Sequence, residues 1–256
     1  MSKRKHTFEV DGPPRIDVRI RSGDVTIKAS GDGAVTVRLS GDSETVELTS
    51  VDATHDSVSV RSRPPKQRWF SKSMDVSIAA PAGGVVRLNV GAGDVLVRVP
   101  LTSLDVKVAS GDVRIDESVD EVRVKLASGD VSVRDKAGEA SIVSASGDIR
   151  VSEANEISVS TGSGSVILGS VAGTTKVKSA SGDLKIHDFS GPELVVTTMS
   201  GDVTLGLAPG KKIEATISAV SGELRNRIDP SGDDPTEPMT LSVKSFSGDV
   251  TLRSPW

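Results

Sequence analysis

The sequence has 256 residues, no cysteine, 36% hydrophobic residues and only 2% aromatic residues. A chain of this length can bury most of its apolar surface as one large domain or as two ordinary ones. The lack of cysteine excludes disulfides, thiolate zinc sites and cysteine nucleophiles. The formal net charge of −4 argues against a protein that binds nucleic acid over its whole surface, although a local basic patch is compatible with it.

The basic residues at the start, within residues 3–6, are followed by no apolar segment. No stretch approaches the ~20 apolar residues that a membrane-spanning helix needs. From these two observations we expect a cytoplasmic protein without a signal peptide or a transmembrane segment.

The first predicted element is a pair of strands around the tripeptide Ser22-Gly23-Asp24. Apolar residues alternate with polar ones in residues 16–20 before it and in residues 25–27 after it. Alternation with a period of two is typical of a strand that buries one face. The sequence therefore predicts two strands joined at this tripeptide.

Residues 28–80 contain further alternating runs that lack the Ser-Gly-Asp sequence. We interpret them as strands and hairpins that cap the N-terminal end of the fold, because a repetitive sheet has to protect its last edge. The runs are residues 35–39, 45–48, 57–60 and 74–78.

A basic segment, residues 61–73, interrupts this region with five basic residues, no acidic residue and two of the six aromatic residues of the chain. One interpretation is a hairpin loop whose aromatic side chains pack against the cap. The other is a docking loop for an anionic surface, whether a membrane, nucleic acid or an acidic partner, with the two aromatic residues as anchors. The candidate binding residues are Arg61, Arg63, Lys66, Arg68, Trp69, Phe70 and Lys72.

A repeat of Ser-Gly-Asp-Val, or a near copy of it, dominates the chain from residue 93 onward. Its glycines are spaced by 18, 18, 18, 17 and 18 residues from Gly93 to Gly182, and then by 19, 21 and 26. Only a repeat architecture accounts for such a series. The position five before the glycine is β-branched in all eight repeats, at Val106, Val124, Ile142, Val159, Val177, Val196, Ile217 and Val243.

The repeat unit predicts a strand, a corner at Ser-Gly-Asp, a second strand and a loop. The apolar position two after the glycine is seven residues from the β-branched one, so a straight strand would point the two to opposite faces. Units of ~18 residues cannot bury their apolar face alone, but parallel stacking at ~4.8 Å gives a continuous core. The sequence therefore predicts a β-solenoid.

The corner residues have two possible roles. Glycine can supply a backbone conformation closed to other residues, while the Asp and Ser side chains bond nearby backbone amides. Alternatively, Asp94, Asp112, Asp130 and Asp148 could form a carboxylate row for Ca²⁺. The row is broken by Ser165 in a later repeat, so we favour the first role and expect no metal.

The last predicted feature is an acidic, proline-rich excursion over residues 229–238, which accounts for the spacing of 26 before the final coil. The final coil is expected to close the column at Pro255 and Trp256. The predicted fold is all-β: a single-stranded parallel β-solenoid (β-helix), right-handed, with ~18-residue coils and an N-terminal β cap. Residues 1–80 are expected to form the first coil and the cap, and residues 81–256 the repeats, in one continuous domain.

The serial Ser-Gly-Asp-Val units, the opening over residues 14–25 and the Ala80–Gly84 segment resemble the bacterial putative-adhesin family of β-strand-repeat proteins. This resemblance covers almost the whole chain. It implies a β-solenoid of unknown or loosely assigned function, and it implies no catalytic residues.

Residues for catalysis are not visible in the sequence. The three histidines, His6, His55 and His187, are far apart in sequence and lack metal-ligand spacing, so we expect surface histidines. There is no Gly-x-Ser-x-Gly motif and no phosphate-binding loop. We therefore predict a non-catalytic scaffold or protein-interaction module with an unknown protein partner and no cofactor, and alternatively a binder of anionic surfaces through residues 61–73.

Overall fold

The structure, a computed structural model, describes residues 2–31, 33–63, 73–228 and 237–255. The chain divides into two compact units, residues 1–129 and 130–256. Both units consist of β-strands, and the described residues contain a single short α-helix, which lies in the first unit. The all-β prediction is confirmed. Among the described residues, no helix has the length and apolar character needed to cross a membrane.

The first unit holds the strands that flank the first three corners and the helix α1. Its elements are β1 (Ser2–Phe8), β2 (Arg15–Ser22), β3 (Val25–Ala29), β4 (Val35–Gly41), α1 (Ser43–Leu48), β5 (Thr49–Ala53), β6 (Ser57–Ser62), β7 (Met74–Ala80), β8 (Gly84–Ala92), β9 (Val95–Arg98), β10 (Leu101–Ser110), β11 (Val113–Ile115) and β12 (Val119–Ser128).

The second unit continues the pattern and begins with two long strands of 16 and 15 residues. Its elements are β13 (Val131–Ser146), β14 (Ile149–Ser163), β15 (Val166–Val171), β16 (Thr175–Ser181), β17 (Leu184–Phe189), β18 (Glu193–Ser200), β19 (Val203–Leu207), β20 (Lys211–Ser221), β21 (Leu224–Arg227), β22 (Glu237–Ser247) and β23 (Val250–Arg253).

Within each unit, equivalent strands of neighbouring repeats pair in parallel. Val106 of β10 lies opposite Leu88 of β8 on one side and Val124 of β12 on the other. On the far side of the corner, Val113 of β11 lies opposite Val95 of β9. One repeat therefore forms one layer of two strands that meet at the Ser-Gly-Asp corner.

The corner glycines have the backbone conformation that the sequence predicts. Gly129 has φ +127°, and a Cβ atom placed on it would lie 2.2 Å from the carbonyl oxygen of Gly111 in the neighbouring layer. A side chain is thus excluded both by the positive φ and by the close approach of two backbones.

The corner aspartates accept hydrogen bonds from backbone amides, as predicted. The amide of Asp94 donates to Oδ1 of Asp24 at 2.9 Å, and the amide of Asp112 donates to Oδ1 of Asp94 at 2.8 Å. In the second unit, the amide of Ser165 donates to Oδ1 of Asp148 at 2.9 Å. Each of these carboxylates therefore links two layers instead of closing only its own corner.

The core is made of the aliphatic columns that the repeat predicts. The β-branched residues five before the corner glycines are at most 1% exposed, with one exception. The exception is Ile217 on β20, which is only half-buried. Leu224, in the same layer, is 56% exposed. This layer differs because β20 and β21 lie at the end of their unit.

The layers at the N-terminal end do not follow the order of the chain. Strand β2 pairs in parallel with both β6 and β8, and β3 pairs in parallel with both β7 and β9. The runs at residues 57–60 and 74–78 form β6 and β7 at this end of the unit, and β6 makes an antiparallel hairpin with β5. They form a full layer without the Ser-Gly-Asp motif, and the first coil lies between this layer and the next.

Antiparallel strands and the helix complete the N-terminal end. Strand β4 pairs antiparallel with β1 and β7, and β5 pairs antiparallel with β6, so the sheet is mixed and a parallel-only solenoid is not confirmed. The strand predicted at residues 45–48 is wrong, because this segment belongs to α1. Asp42 caps the helix by accepting the amide of Thr45, and Val46 is fully buried.

The order of layers at the C-terminal end is also inverted. Strand β22 pairs in parallel with β18 and β20, and β23 pairs in parallel with β19 and β21. The final coil therefore lies inside the second unit, and the preceding coil, β20 and β21, is the outer one. The prediction that the final coil closes the column is wrong. The spacing of 26 residues between Gly222 and Gly248 is long enough for the chain to form the outer layer first and then the inner one beside it.

Candidate functional site

The basic segment predicted to dock anionic surfaces is only partly described. Arg61, at the end of β6, and Arg63 are both exposed. Lys66, Arg68, Trp69, Phe70 and Lys72 lie outside the described residues. The structure thus places the first arginine of this segment on a sheet face.

A row of four cations and one asparagine, the cation row, crosses that face of the first unit. In strand order its residues are Arg61 on β6, Arg19 on β2, Asn89 on β8, Lys107 on β10 and Lys125 on β12, each directly opposite the next. All five side chains are exposed. Since neighbouring strands are ~4.8 Å apart, the row runs for ~19 Å without a carboxylate.

The adjacent row on the same face shows that this arrangement is not imposed by the fold. It alternates in charge, with Asp17, Arg87, Asp105 and Arg123 opposite one another in turn. Like charges ~4.8 Å apart in water repel by somewhat under 1 kcal/mol, and opposite charges attract by the same amount. The alternating row relieves this repulsion, whereas the cation row retains it.

An apolar stripe lies on the outer surface of the second unit. It consists of Met199 on β18, Phe246 on β22 and Val220 on β20, which occupy equivalent positions on three neighbouring strands. Their exposed fractions are 63%, 63% and 73%. Contiguous exposed apolar side chains of this kind mark sites of interaction with other molecules.

The stripe could have been found in the sequence. All three residues stand two positions before a corner glycine, where the repeats with Gly93 to Gly182 have only small residues. The change from small to large residues on the solvent side of a strand is the signal. The small residues at this position are Gly91, Ala109, Ala127, Ala145, Gly162 and Ala180.

The histidines are not grouped with other ligands. Nε2 of His55 lies 2.9 Å from Oδ2 of Asp11, a carboxylate partner that the sequence did not reveal, and both side chains are exposed. The ring of His6 stacks on Phe8 at 6.1 Å between centroids.

Partial burial, with nearby Lys185 and Arg253, lowers the pKa of His187 below its usual value. Among the described residues, no three His, Asp or Glu side chains are grouped to hold a metal.

An open cleft of about 590 Å³ lies on β1, β3, β4 and β7. Its charged lining consists of Lys3, Arg4, Lys5 and Arg38 together with the carboxylates Asp24 and Asp75. One oxygen of each carboxylate accepts a backbone N–H.

Several solved structures are similar to this chain. A putative adhesin from Parabacteroides merdae ATCC 43184 has 14% identity and a TM-score of 0.53, with 98% of this chain and 95% of that chain covered. A putative adhesin from Parabacteroides distasonis ATCC 8503 has 13% identity and a TM-score of 0.51, with 98% and 97% covered. A putative lipid binding protein from the same organism has 12% identity and a TM-score of 0.47, with 97% and 96% covered. At such identities the likeness concerns the fold.

Comparison with curated proteins finds no match. The model of the Toastrack DUF4097 family, in contrast, matches residues 14–253, which include the strands of every corner as well as the cation row and the apolar stripe. The chain belongs to the Toastrack DUF4097 family.

Proposed function

We propose that the protein is a non-catalytic, right-handed β-solenoid scaffold that binds a protein partner through the apolar stripe. The observation that supports this proposal is that Met199, Phe246 and Val220 lie side by side on neighbouring strands, each more than 60% exposed. An isolated exposed apolar residue is ordinary on a protein surface, whereas three in register form a patch. The adhesin names of two solved structures of similar fold agree with a binding role.

Three further features support a binding function rather than a catalytic one. The regular stacking fixes the three side chains on strands, so a partner meets a preformed surface and loses little free energy in ordering it. Burial of a Met, a Phe and a Val side chain contributes roughly 1.5–3 kcal/mol each, which is enough for the centre of an interface. The corner carboxylates, in contrast, bond backbone amides and are occupied in the fold.

The test replaces the stripe with the residue type of the earlier repeats, as Met199→Ala, Val220→Ala and Phe246→Ala together. We expect the melting temperature to stay within error, because these side chains face solvent. Capture of a specific partner from the native cell should be lost. The matched control is Val143→Ala, another exposed valine of the second unit that lies outside the stripe. Identical captured proteins for the parent and the triple variant would contradict the proposal.

A second candidate function is binding of an anionic surface through residues 61–73. The supporting observation is that Arg61 and Arg63 are exposed and that Arg61 begins the cation row. Replacing Arg61, Arg63, Lys66, Arg68 and Lys72 with Ser should then abolish binding to anionic vesicles and leave stability unchanged, and binding by the parent should weaken steeply with salt. If the segment only packs against the cap, Trp69→Ala should lower stability and the charge changes should have no effect.

A further inference from the structure

We infer that the cation row binds a linear acidic polysaccharide, a polymer with one carboxylate or sulfate per sugar unit, laid across the strands of the first unit. This site lies on the first unit, whereas the apolar stripe lies on the second. The inference therefore goes beyond the proposed protein-binding function and does not depend on it.

The spacing of the row supports a repeating ligand. Arg61 and Arg19 are on adjacent strands, and so are Lys107 and Lys125, with Asn89 between the two pairs. Strand pairing sets one side chain every ~4.8 Å along a straight line. A polymer with anions at regular intervals can meet several of these cations at once, and the amide of Asn89 can donate to a hydroxyl or carboxylate between them.

Most of these cations are not engaged within the protein. Arg19 forms an ion pair with Asp17, with 3.1 Å between Nε and Oδ1. Within the described residues, Arg61, Lys107 and Lys125 take part in no ion pair. An anion that binds the row therefore gains the attraction of these charges without breaking a native pair, and it also removes the repulsion between neighbours.

The composition of the face distinguishes among polyanions. Single-stranded nucleic acid is held by aromatic side chains that stack on its bases, and a membrane-binding face inserts apolar side chains. The described residues of the cation row and of the alternating row beside it are all charged or polar, with no aromatic or aliphatic side chain among them. A hydroxyl-rich, regularly charged chain is the polyanion that such a face fits best.

The experiment measures binding of the full chain to polygalacturonate at low salt, with fully methyl-esterified polygalacturonate as the uncharged control polymer. We expect the charged polymer to bind and the esterified polymer not to bind. Lys107→Gln together with Lys125→Gln should lower the affinity by about tenfold, and the affinity of the parent should fall with added salt. The control variant, Lys176→Gln with Lys212→Gln, removes the same charge from the second unit and should stay within about twofold of the parent.

Four outcomes would overturn the inference. They are no binding by the parent, an unchanged affinity of the row variant, an equal loss in the control variant, and tighter binding of a thymidine oligonucleotide or of phosphatidylglycerol vesicles than of polygalacturonate. The glutamines keep a polar side chain only one bond shorter than lysine, and melting temperatures of both variants establish that the fold is intact. Each of these outcomes leaves the stripe proposal unaffected, because that proposal is tested with changes in the second unit.

Discussion

Val159 and Ser160 are neighbours on β14, and their side chains point to opposite faces of the sheet. Val159 is 1% exposed, whereas Ser160 is exposed to solvent. Val159→Asp should therefore cost about 3–5 kcal/mol of unfolding free energy, because it puts an unpaired carboxylate into an aliphatic column. Ser160→Asp should cost less than about 0.5 kcal/mol. Urea unfolding of both variants measures the difference, and equal midpoints would show that the register is wrong.

The inward or outward direction of most residues could be predicted from the sequence, since period-two alternation and the corner glycine fix it. The exposure of Ile217 and Leu224 could not be predicted. Both residues follow the repeat pattern fully, and they differ from their equivalents because, within the described parts of the chain, β20 and β21 pair with another layer on one side only. Burial at the end of a stack depends on the order of layers, which no single residue encodes.

The helix α1 depends on a contact from a distant strand. Nη1 of Arg4, on β1, donates to the carbonyl oxygens of Val46 and Thr49 at 3.0 and 3.1 Å, where the helix ends. Arg4→Ala should lower the unfolding free energy by about 1–2 kcal/mol, because two carbonyl groups at a helix end lose a charged donor. The control is Lys5→Ala, the exposed neighbour of Arg4 on the same strand.

This prediction is checked by thermal unfolding and by hydrogen exchange of the α1 amides. Faster exchange in the Arg4 variant and unchanged exchange in the Lys5 variant are expected. If both variants behave like the parent, the guanidinium contact does not hold the helix in place.

The helix itself could have been anticipated only in part. Residues 45–48 alternate like a strand, and so short a run cannot distinguish the two periods. Asp42, three residues before Thr45, is a helix N-cap signal. What decides the outcome is the open end of the aliphatic column, which the buried Val46 covers, and this end is visible only once the layers are placed.

For the molecule as a whole, the hydrogen bonds of the corner aspartates predict that calcium does not change its stability. Amides of adjacent layers already occupy one carboxylate oxygen of each of the aspartates described above. Added millimolar Ca²⁺ or a chelator should therefore leave the melting temperature unchanged within error, as scanning calorimetry can measure. A rise of several degrees on adding Ca²⁺ would instead indicate a bound metal row.

The two candidate surfaces differ in how far the sequence reveals them. The apolar stripe recurs at one position of the repeat, so aligning the glycines is enough to find it. The cation row joins residues 61, 19, 89, 107 and 125, in that order. This order depends on the position of β2 between β6 and β8. The repeat pattern in the sequence would be the same for any order of layers, so the sequence alone does not reveal the cation row.

Inverted layers at both ends also determine what truncation removes. Chain termini are normally the segments that a protein loses most easily. Here β2 and β3 lie between two other layers of the first unit, and β22 and β23 lie between two layers of the second. Loss of β2 and β3, or of β22 and β23, would therefore remove an inner layer and separate its neighbours. On the ribosome, the second unit likewise lacks an inner layer until β22 and β23 emerge.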